Sequence, residues 1–290
     1  MSADKHHDRD EHGVEDHDRG LSLDLPTILS RRRLLGLLGG VAGAATLAGC
    51  ATQGGDSASP STSTSTSAAA APSASASSAA VTAGTEIPEE TSGPFPGDGS
   101  NGVNVLAQSG IVRGDIRSSF GTGSATAEGV PLTVKLTVYD TSGTVQPLSG
   151  AAVYLWHCDR EGQYSLYAQN IRNENYLRGV QETDTAGGVT FTSIFPAAYD
   201  GRWPHIHFEV YPSLAKATTA SDKLRTSQLA LPEEVCTLVY ATTGYEQSRS
   251  NLARTSLASD MVFRDGYSLQ LGTVTGDVDR GMTVSLNVPV

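Results

Sequence analysis

The chain has 290 residues, 38% of them hydrophobic, and a formal net charge of −11. An acidic protein is repelled by nucleic acid and by anionic membrane surfaces, so the charge argues against both as partners and favours a small ligand. The first third of the chain is poor in bulky apolar side chains, so a folded core must be built from the remainder.

Residues 30–50, "SRRRLLGLLGGVAGAATLAGC", join an arginine cluster (31–33) to a short apolar run, which is typical of a twin-arginine export signal. The alternative, a transmembrane helix, needs ~20 predominantly apolar residues, and this run is shorter and rich in Gly and Ala. The segment "LAGC" resembles the lipobox of bacterial lipoproteins, whose cysteine is diacylated; the alternative is an ordinary cleavage site with an incidental cysteine. We expect residues 1–50 to be a signal and a lipidated Cys50 to anchor the exported protein to the outer face of the cell membrane.

Residues 57–80 contain only Ser, Thr, Ala and Pro, a composition that cannot pack a core. We therefore expect 51–85 to be a disordered linker and 86–290 to be the folded domain. A flexible tether suits a domain held at a membrane by a lipid.

From residue 86 onward, short β-rich runs alternate with turn residues, and no long helical period occurs. In "LTVKLTVYD" the apolar side chains occupy every second position, as in a half-buried strand. The pattern predicts an all-β protein, a single antiparallel β-sandwich with long loops and few short helical turns. The predicted strands are 109–116, 130–140, 149–159, 187–195, 203–212, 234–242, 267–274 and 281–288. The segments 222–234 and 248–261 are expected to be long loops or short helical turns.

Cys158 and Cys236 are the two cysteines of the folded part, and export would expose them to an oxidising environment. We expect them to form a disulfide. The alternative is two small buried apolar side chains, because a bridge also requires Cα atoms ~4.4–6.8 Å apart.

His205 and His207 are separated by one residue in "WPHIHFEV". On a strand, both side chains point to one face with Cα atoms ~6.6 Å apart, so the imidazoles can converge on one metal ion. Ile206 and Phe208 point the other way, into apolar packing. The alternative is a pair of surface or hydrogen-bonded histidines.

A third ligand can be sought on either side of the pair. Glu209 continues the same face and would suggest a two-histidine, one-carboxylate iron site, but it lies ~13 Å from His205 along a straight strand. Tyr199 precedes His205 through the turn "DGRWP" and can fold back beside it, offering a phenolate to a ferric ion. It could equally be a tyrosine that packs at a strand end.

The segments "PLSGAAVYLWHCDREGQYS", "FTSIFPAAYDGRWPHIHFEV" and "TSQLALP" resemble the signature of the intradiol ring-cleavage dioxygenases, and "ETSGPFPGDGSNG" and "IVRGDI" match its upstream pattern. The resemblance extends over most of residues 90–240. It implies a non-haem Fe(III) ion held by Tyr164, Tyr199, His205 and His207.

The resemblance also assigns two groups that act on the substrate, Arg202, three residues before the first histidine, and Gln228. A permanently charged guanidinium can stabilise negative charge on an activated ring, whereas its alternative role is a surface ion pair with Asp200. The family usually has Pro-Gly before its second tyrosine, where this chain has Pro196-Ala197. A positive φ at that point would cost an alanine ~1 kcal/mol.

The implied reaction is cleavage of a catechol by O2 between the two hydroxylated carbons, which yields a muconate-type diacid. Tyr199 would leave the metal when substrate binds and accept a substrate proton, and Tyr164 would stay bound. The alternative function is a lipid-anchored β-sandwich binding module that keeps the fold or a metal without ring cleavage.

Overall fold

The computed structural model describes residues 81–290, and the predicted export signal, Cys50 and residues 51–80 of the predicted linker lie outside this range. The described residues form two sheets and two short helices, which confirms the predicted all-β sandwich with long loops. The strands are β1 (Pro131–Asp140), β2 (Gln146–Pro147), β3 (Ala152–Trp156), β4 (Arg178–Glu182), β5 (Gly188–Ile194), β6 (His205–Tyr211), β7 (Arg225–Ala230), β8 (Thr273–Asp277) and β9 (Gly281–Pro289). The helices are α1 (Glu233–Val239) and α2 (Glu246–Leu252).

The first sheet has the order β2-β1-β9-β8, with β5 also paired to β1. Strand β1 buries every second side chain, from Leu132 to Val138, as its alternating sequence predicts. The pairing of β1 with β9 is parallel, whereas the other strand pairs are antiparallel. The sandwich is therefore mixed at this point rather than purely antiparallel.

The second sheet has the order β4-β3-β6-β7, and all residues of β3 and β6 are buried. Ile206, Phe208 and Val210 of β6 pack into the core that also contains the apolar side chains of β1 and β9. The opposite side of the second sheet has its own apolar cluster, which includes Tyr154 and Trp156 of β3. Loops cover this outer side, so β6 is buried on both faces.

Several segments differ from the predicted elements. Strand β4 was not predicted, and the strand predicted over 267–274 begins only at Thr273. Residues 234–242, predicted as a strand, lie largely in α1, which begins after Pro232 with two glutamates and buries Val235, Cys236 and Val239 on one side. Strand β7 lies in a segment predicted as a loop. Residues 109–116 form only isolated bridges, at Val112 and Asp115, instead of a strand.

The predicted disulfide is wrong in this structure, because Cys158 and Cys236 are both buried and free. Cys158 belongs to the cluster on the outer side of the second sheet, and its thiol faces the Ala197 carbonyl oxygen at 3.7 Å. Cys236 lies on α1 in the core between the sheets. Burial raises the pKa of both thiols, which disfavours the reactive thiolate.

Within residues 81–290, no helix has the length and apolar character that a membrane-spanning segment requires.

Candidate metal and catechol site

The two histidines of β6 meet on the outer side of the second sheet. His205 Nε2 lies 3.0 Å from His207 Nε2. The Trp203 carbonyl accepts a hydrogen bond from His205 Nδ1 at 2.5 Å, so Nδ1 carries the proton and Nε2 presents its lone pair. The His207 ring stacks on Trp156 at a centroid distance of 4.8 Å and an angle of 7°. Both imidazoles are therefore held in orientation by neighbouring groups.

The two tyrosines named by the sequence lie beside these histidines. Tyr199 Oη is 3.2 Å from His205 Nε2. The Tyr164 ring is 6.0 Å from the Tyr199 ring and 6.1 Å from the His207 ring, between centroids. Tyr164 is buried, and its hydroxyl has no hydrogen-bond partner. The structure thus brings four potential ligands together from three segments of the chain.

A tight turn carries Tyr164 into the site. Asp159 fixes this turn, because its Oδ1 accepts hydrogen bonds from the Glu161 and Gln163 N–H groups at 3.1 and 2.8 Å. Gly162 has φ 85°, and a Cβ there would lie 3.1 Å from Tyr199 Cβ. Glycine is required at this position both by the backbone conformation and by the close approach of Tyr199.

Burial controls the protonation of these groups. Burial and then the Arg202 charge lower the pKa of His205 to about 3, and burial, His205 and Arg202 hold the pKa of His207 well below its usual value. Burial raises the pKa of Tyr164 well above its usual range, and the neighbouring Tyr199 raises it further. The protein alone thus favours two neutral imidazoles and a neutral buried phenol.

The residues fit a metal ion on these observations. Two nitrogen ligands that each lie ~2.1 Å from one ion can be at most ~4.2 Å apart, and the Nε2–Nε2 distance of 3.0 Å lies within that limit. The unpartnered Tyr164 hydroxyl is costly without a partner and would become a ligand beside a cation. No cluster of three His, Cys, Asp or Glu side chains suited to a metal occurs among residues 81–290, so the oxygen ligands here would be phenolic.

Arg202 and Gln228 lie at the same site and contact each other. Arg202 Nη2 donates to Gln228 Oε1 at 2.7 Å, and Gln228 Nε2 donates to the Thr91 carbonyl at 2.9 Å. Both side chains are buried. Gln228 is placed by β7, in which it pairs with His207 of β6. The two groups that the resemblance assigns to the substrate are therefore neighbours of the four proposed ligands.

The domain matches known dioxygenases in sequence and structure. Residues 115–220 match the family "Dioxygenase_C: Dioxygenase". The chain is 36% identical over 63 residues to a chlorocatechol 1,2-dioxygenase from Rhodococcus opacus, covering 22% of this chain and 24% of the relative. It is also 36% identical over 81 residues to a catechol 1,2-dioxygenase from Candida albicans, covering 27% and 26%. The chain thus spans about a quarter of the length of these curated relatives.

A solved structure described as an intradiol ring-cleavage dioxygenase from Tetranychus urticae has a TM-score of 0.50 and 26% identity, over 62% of this chain and 86% of that one. The chain is thus similar to intradiol dioxygenases in sequence and in fold. The sequence raised the expectation that Ala197, at a position where those dioxygenases usually have glycine, would be strained by a positive φ. Ala197 is not among the non-glycine residues of positive φ, so the alanine carries no such cost.

Glu209 is not part of the candidate site. Its carboxylate accepts hydrogen bonds from Lys223 Nζ and Tyr211 Oη, both at 2.7 Å. Burial raises its pKa to about 7, and Lys223 opposes that shift. The two-histidine, one-carboxylate alternative therefore finds no support, because the carboxylate is engaged elsewhere.

Arg202 forms its ion pair with Asp260, not with Asp200. Arg202 Nε lies 3.0 Å from Asp260 Oδ2, and the side chains are 3% and 0% exposed. Asp200 pairs with Arg254 on the surface. Asp260 escaped prediction because it lies 58 residues after Arg202, in the weakly patterned segment 248–261.

Arg178 is a second residue that sequence reasoning missed. It is fully buried and donates to the Phe95, Pro96 and Ser165 carbonyls at 2.7–2.9 Å. It thereby ties the segment "GPFPG" to the residue after Tyr164. Arg178 begins β4, a segment for which the sequence predicted no element, and a single arginine there gave no signal of this role.

Proposed function

We propose that the chain is a non-haem Fe(III) dioxygenase that cleaves catechol-type rings between the two hydroxyls. The observation that carries the proposal is the convergence of the His205 and His207 Nε2 atoms and the Tyr199 hydroxyl, beside the buried and partnerless hydroxyl of Tyr164. The match of residues 115–220 to the dioxygenase family supports the reaction type, and the names of the matched relatives support a catechol as substrate class.

The proposed reaction balances without an external reductant. The bond between the two hydroxylated carbons breaks, both atoms of O2 enter the product, and a muconate-type diacid results. A bound ferric ion would hold the two catechol oxygens, lower their pKa and make the ring reactive toward O2.

The two tyrosines are unequal in a way that suits different roles. Tyr164 is buried in the turn that Asp159 fixes, whereas Tyr199 is half-buried and follows an irregular segment after β5. Its hydroxyl is within hydrogen-bond distance of His205. We assign to Tyr199 the acceptance of a proton from the incoming catechol, and to Tyr164 the permanent oxygen ligand.

Arg202 and Gln228 would act on the ring once it is bound. A guanidinium cannot be deprotonated in the protein, so Arg202 supplies a constant positive charge to oxygen atoms that gain negative charge. Gln228 is held by Thr91 and by Arg202, which makes it a fixed polar group for orienting the substrate.

The first test is the colour and iron content of the purified protein. Ferric iron with tyrosinate ligands gives a visible charge-transfer band, and added catechol should shift that band. Tyr164→Phe should lose iron and band, because it removes one of four protein ligands. Tyr139→Phe on β1 of the other sheet is the matched control and should keep both. A colourless wild type that binds zinc and consumes no O2 with any catechol would favour the binding-module alternative.

The second test separates metal binding from catalysis. Arg202→Ala should keep iron and the visible band but lower kcat about 10²–10³-fold, the usual loss for one electrostatic stabiliser. Arg254→Ala, which breaks the exposed pair with Asp200, should leave kcat unchanged. Equal effects of the two variants would contradict the role of Arg202.

We also propose that the enzyme is exported and held at the outer face of the membrane by a lipid on Cys50. The proposal rests on the arginine cluster, the "LAGC" segment and the Ser/Thr/Ala/Pro linker of the sequence. Cys50→Ala should move the protein from the membrane fraction to the soluble fraction. Unchanged membrane association of this variant would refute the anchor.

A further inference from the structure

The ion pair between Arg202 and Asp260 is completely enclosed. The distance from Arg202 Nε to Asp260 Oδ2 is 3.0 Å, and neither side chain exposes more than 3% of its surface. Burial would raise the pKa of Asp260, but the Arg202 charge and the Trp203 N–H outweigh it and leave this pKa below its usual value. The carboxylate is therefore ionised at neutral pH, so a full charge pair lies beside the proposed metal site.

Backbone groups fix the Asp260 carboxylate on both of its oxygens. Oδ2 accepts a hydrogen bond from Trp203 N at 2.7 Å in addition to the Arg202 bond. Oδ1 accepts from Val262 N at 2.8 Å and from Phe263 N at 3.3 Å. Because four donors hold the Asp260 carboxylate, it is a fixed group that can orient the flexible Arg202 side chain.

The guanidinium is in turn fixed at two of its nitrogen atoms. Nε is bound to Asp260, and Nη2 donates to Gln228 Oε1 at 2.7 Å. Because the guanidinium is planar and rigid, two such bonds determine the position of its charge and the plane of its donors. Gln228 is itself anchored on the Thr91 carbonyl. A chain of hydrogen bonds thus runs from Asp260 through Arg202 and Gln228 to Thr91.

We propose that Asp260 is the positioning residue for Arg202 in ring cleavage, an inference that rests on the function proposed above. Without Asp260, the long Arg202 side chain would keep its charge but lose the hydrogen bond that fixes the position of its guanidinium. Asp260 lies outside residues 115–220 that match the family, so the C-terminal part of the chain contributes this element of the site.

A double-mutant cycle tests the proposal with Asp260→Asn, Arg202→Ala and the double variant, each loaded with iron. Displacing a catalytic group by about 1 Å can cost on the order of 10²-fold in rate, so Asp260→Asn should lower kcat by about 10–100-fold. In the Arg202→Ala background the same substitution should change kcat by less than about twofold, because the group that it positions is absent.

Two further readouts distinguish positioning from a structural role. Iron content and the visible charge-transfer band should match the wild type in all variants, since no proposed ligand is altered. In urea unfolding, the double variant should be at least as stable as Arg202→Ala, because it no longer buries an unpaired carboxylate. If Asp260→Asn does not accumulate, Asp260→Glu takes its place in the cycle, with the same expected pattern.

The outcomes separate the two proposals. An active wild type with the same loss of kcat in both backgrounds, or with loss of iron on changing Asp260, overturns the positioning role and leaves the dioxygenase intact. A gain in kcat for Asp260→Asn would show that the Asp260 carboxylate weakens the effect of the Arg202 charge instead of positioning it. That result would also overturn the positioning role. An iron-loaded wild type without turnover on any catechol overturns the proposed function, and the role of Asp260 falls with it.

Discussion

Asp159 gives a quantitative prediction about stability and pH. This buried carboxylate holds the turn that carries Tyr164, and its Oδ2 also accepts a hydrogen bond from Tyr176 Oη at 3.1 Å. Burial raises its pKa from 3.8 to about 6, Glu161 adds to the shift, and the hydrogen bonds from Gln163, Tyr176 and Glu161 oppose it. The folded protein therefore holds a proton on Asp159 in a pH range where the unfolded chain has released it.

The sign and size of the effect follow from linkage. Between pH 3.8 and about 6 the folded state binds more protons, so the Asp159 contribution to stability falls as the pH rises through this window. One pKa unit corresponds to ~1.4 kcal/mol, so the full cost above pH 6 is about 3 kcal/mol. Most of that cost, about 2 kcal/mol, should develop between pH 4 and pH 7.

Asp159→Asn removes the titration while keeping the hydrogen bonds. The amide oxygen can accept from the two turn N–H groups, and the amide nitrogen can donate to the Tyr176 oxygen. Relative to wild type, the variant should gain about 2 kcal/mol more in free energy of unfolding at pH 7 than at pH 4. Urea denaturation at both pH values measures this difference.

Asp184→Asn is the matched control for Asp159→Asn. Asp184 also accepts two turn N–H groups, from Ala186 and Gly188, both at 2.8 Å, but it is exposed. Its substitution should have the same small effect at both pH values. An Asp159→Asn effect that does not change with pH, or that matches Asp184→Asn, would refute the claim that Asp159 is held protonated by burial.

Two further predictions concern packing and the thiols. Gly129→Ala should lower the free energy of unfolding by about 1–3 kcal/mol, measured as a drop in Tm, because a Cβ there would lie 2.5 Å from Tyr245 Oη. Gly143→Ala is the control, because a Cβ at Gly143 would have no atom within 4 Å. Equal drops in Tm for the two variants would contradict the close packing at Gly129. In a Cys50→Ala variant, a thiol reagent should modify Cys158 and Cys236 only after unfolding, and two thiols should then react without a reductant. If neither thiol reacts in denaturant without a reductant, the two cysteines form a disulfide and the assignment of free thiols is wrong.

Strands with one clear apolar face were predictable from the sequence. In β1 the alternation from Leu132 to Val138 is uninterrupted, and in β6 the histidines alternate with core residues. Strand β7 was not predictable, because its buried positions include Thr226, Ser227 and Gln228. A run of polar residues of this kind is more typical of a loop than of a buried strand. The parallel pairing of β1 with β9 leaves no local signal, since about 150 residues separate the partners and no turn links them directly.

The site was predictable where its residues lie within short motifs. His205 and His207 share a strand, and the spacing of Arg202 and Tyr199 to them is short enough to be carried by one turn. Asp260 could not be found in this way. Its carboxylate acts through tertiary contacts, and a single aspartate in a polar segment has no periodicity to distinguish it from surface residues.

The division of the site between strand and loops has a consequence for how it can work. The histidines lie on a strand that is buried on both faces, and the Trp203 carbonyl and the Trp156 ring hold their imidazoles, so their nitrogens can separate only if these contacts are lost. Tyr164 is held nearly as firmly, because the turn before it is hydrogen-bonded to Asp159. Tyr199 is only half-buried and belongs to an irregular segment, so it is the one proposed ligand that can move at low cost. Under the proposed function, the site must admit a two-oxygen substrate while keeping its metal, which requires one mobile ligand among fixed ones. The different burial of Tyr164 and Tyr199 would supply that difference.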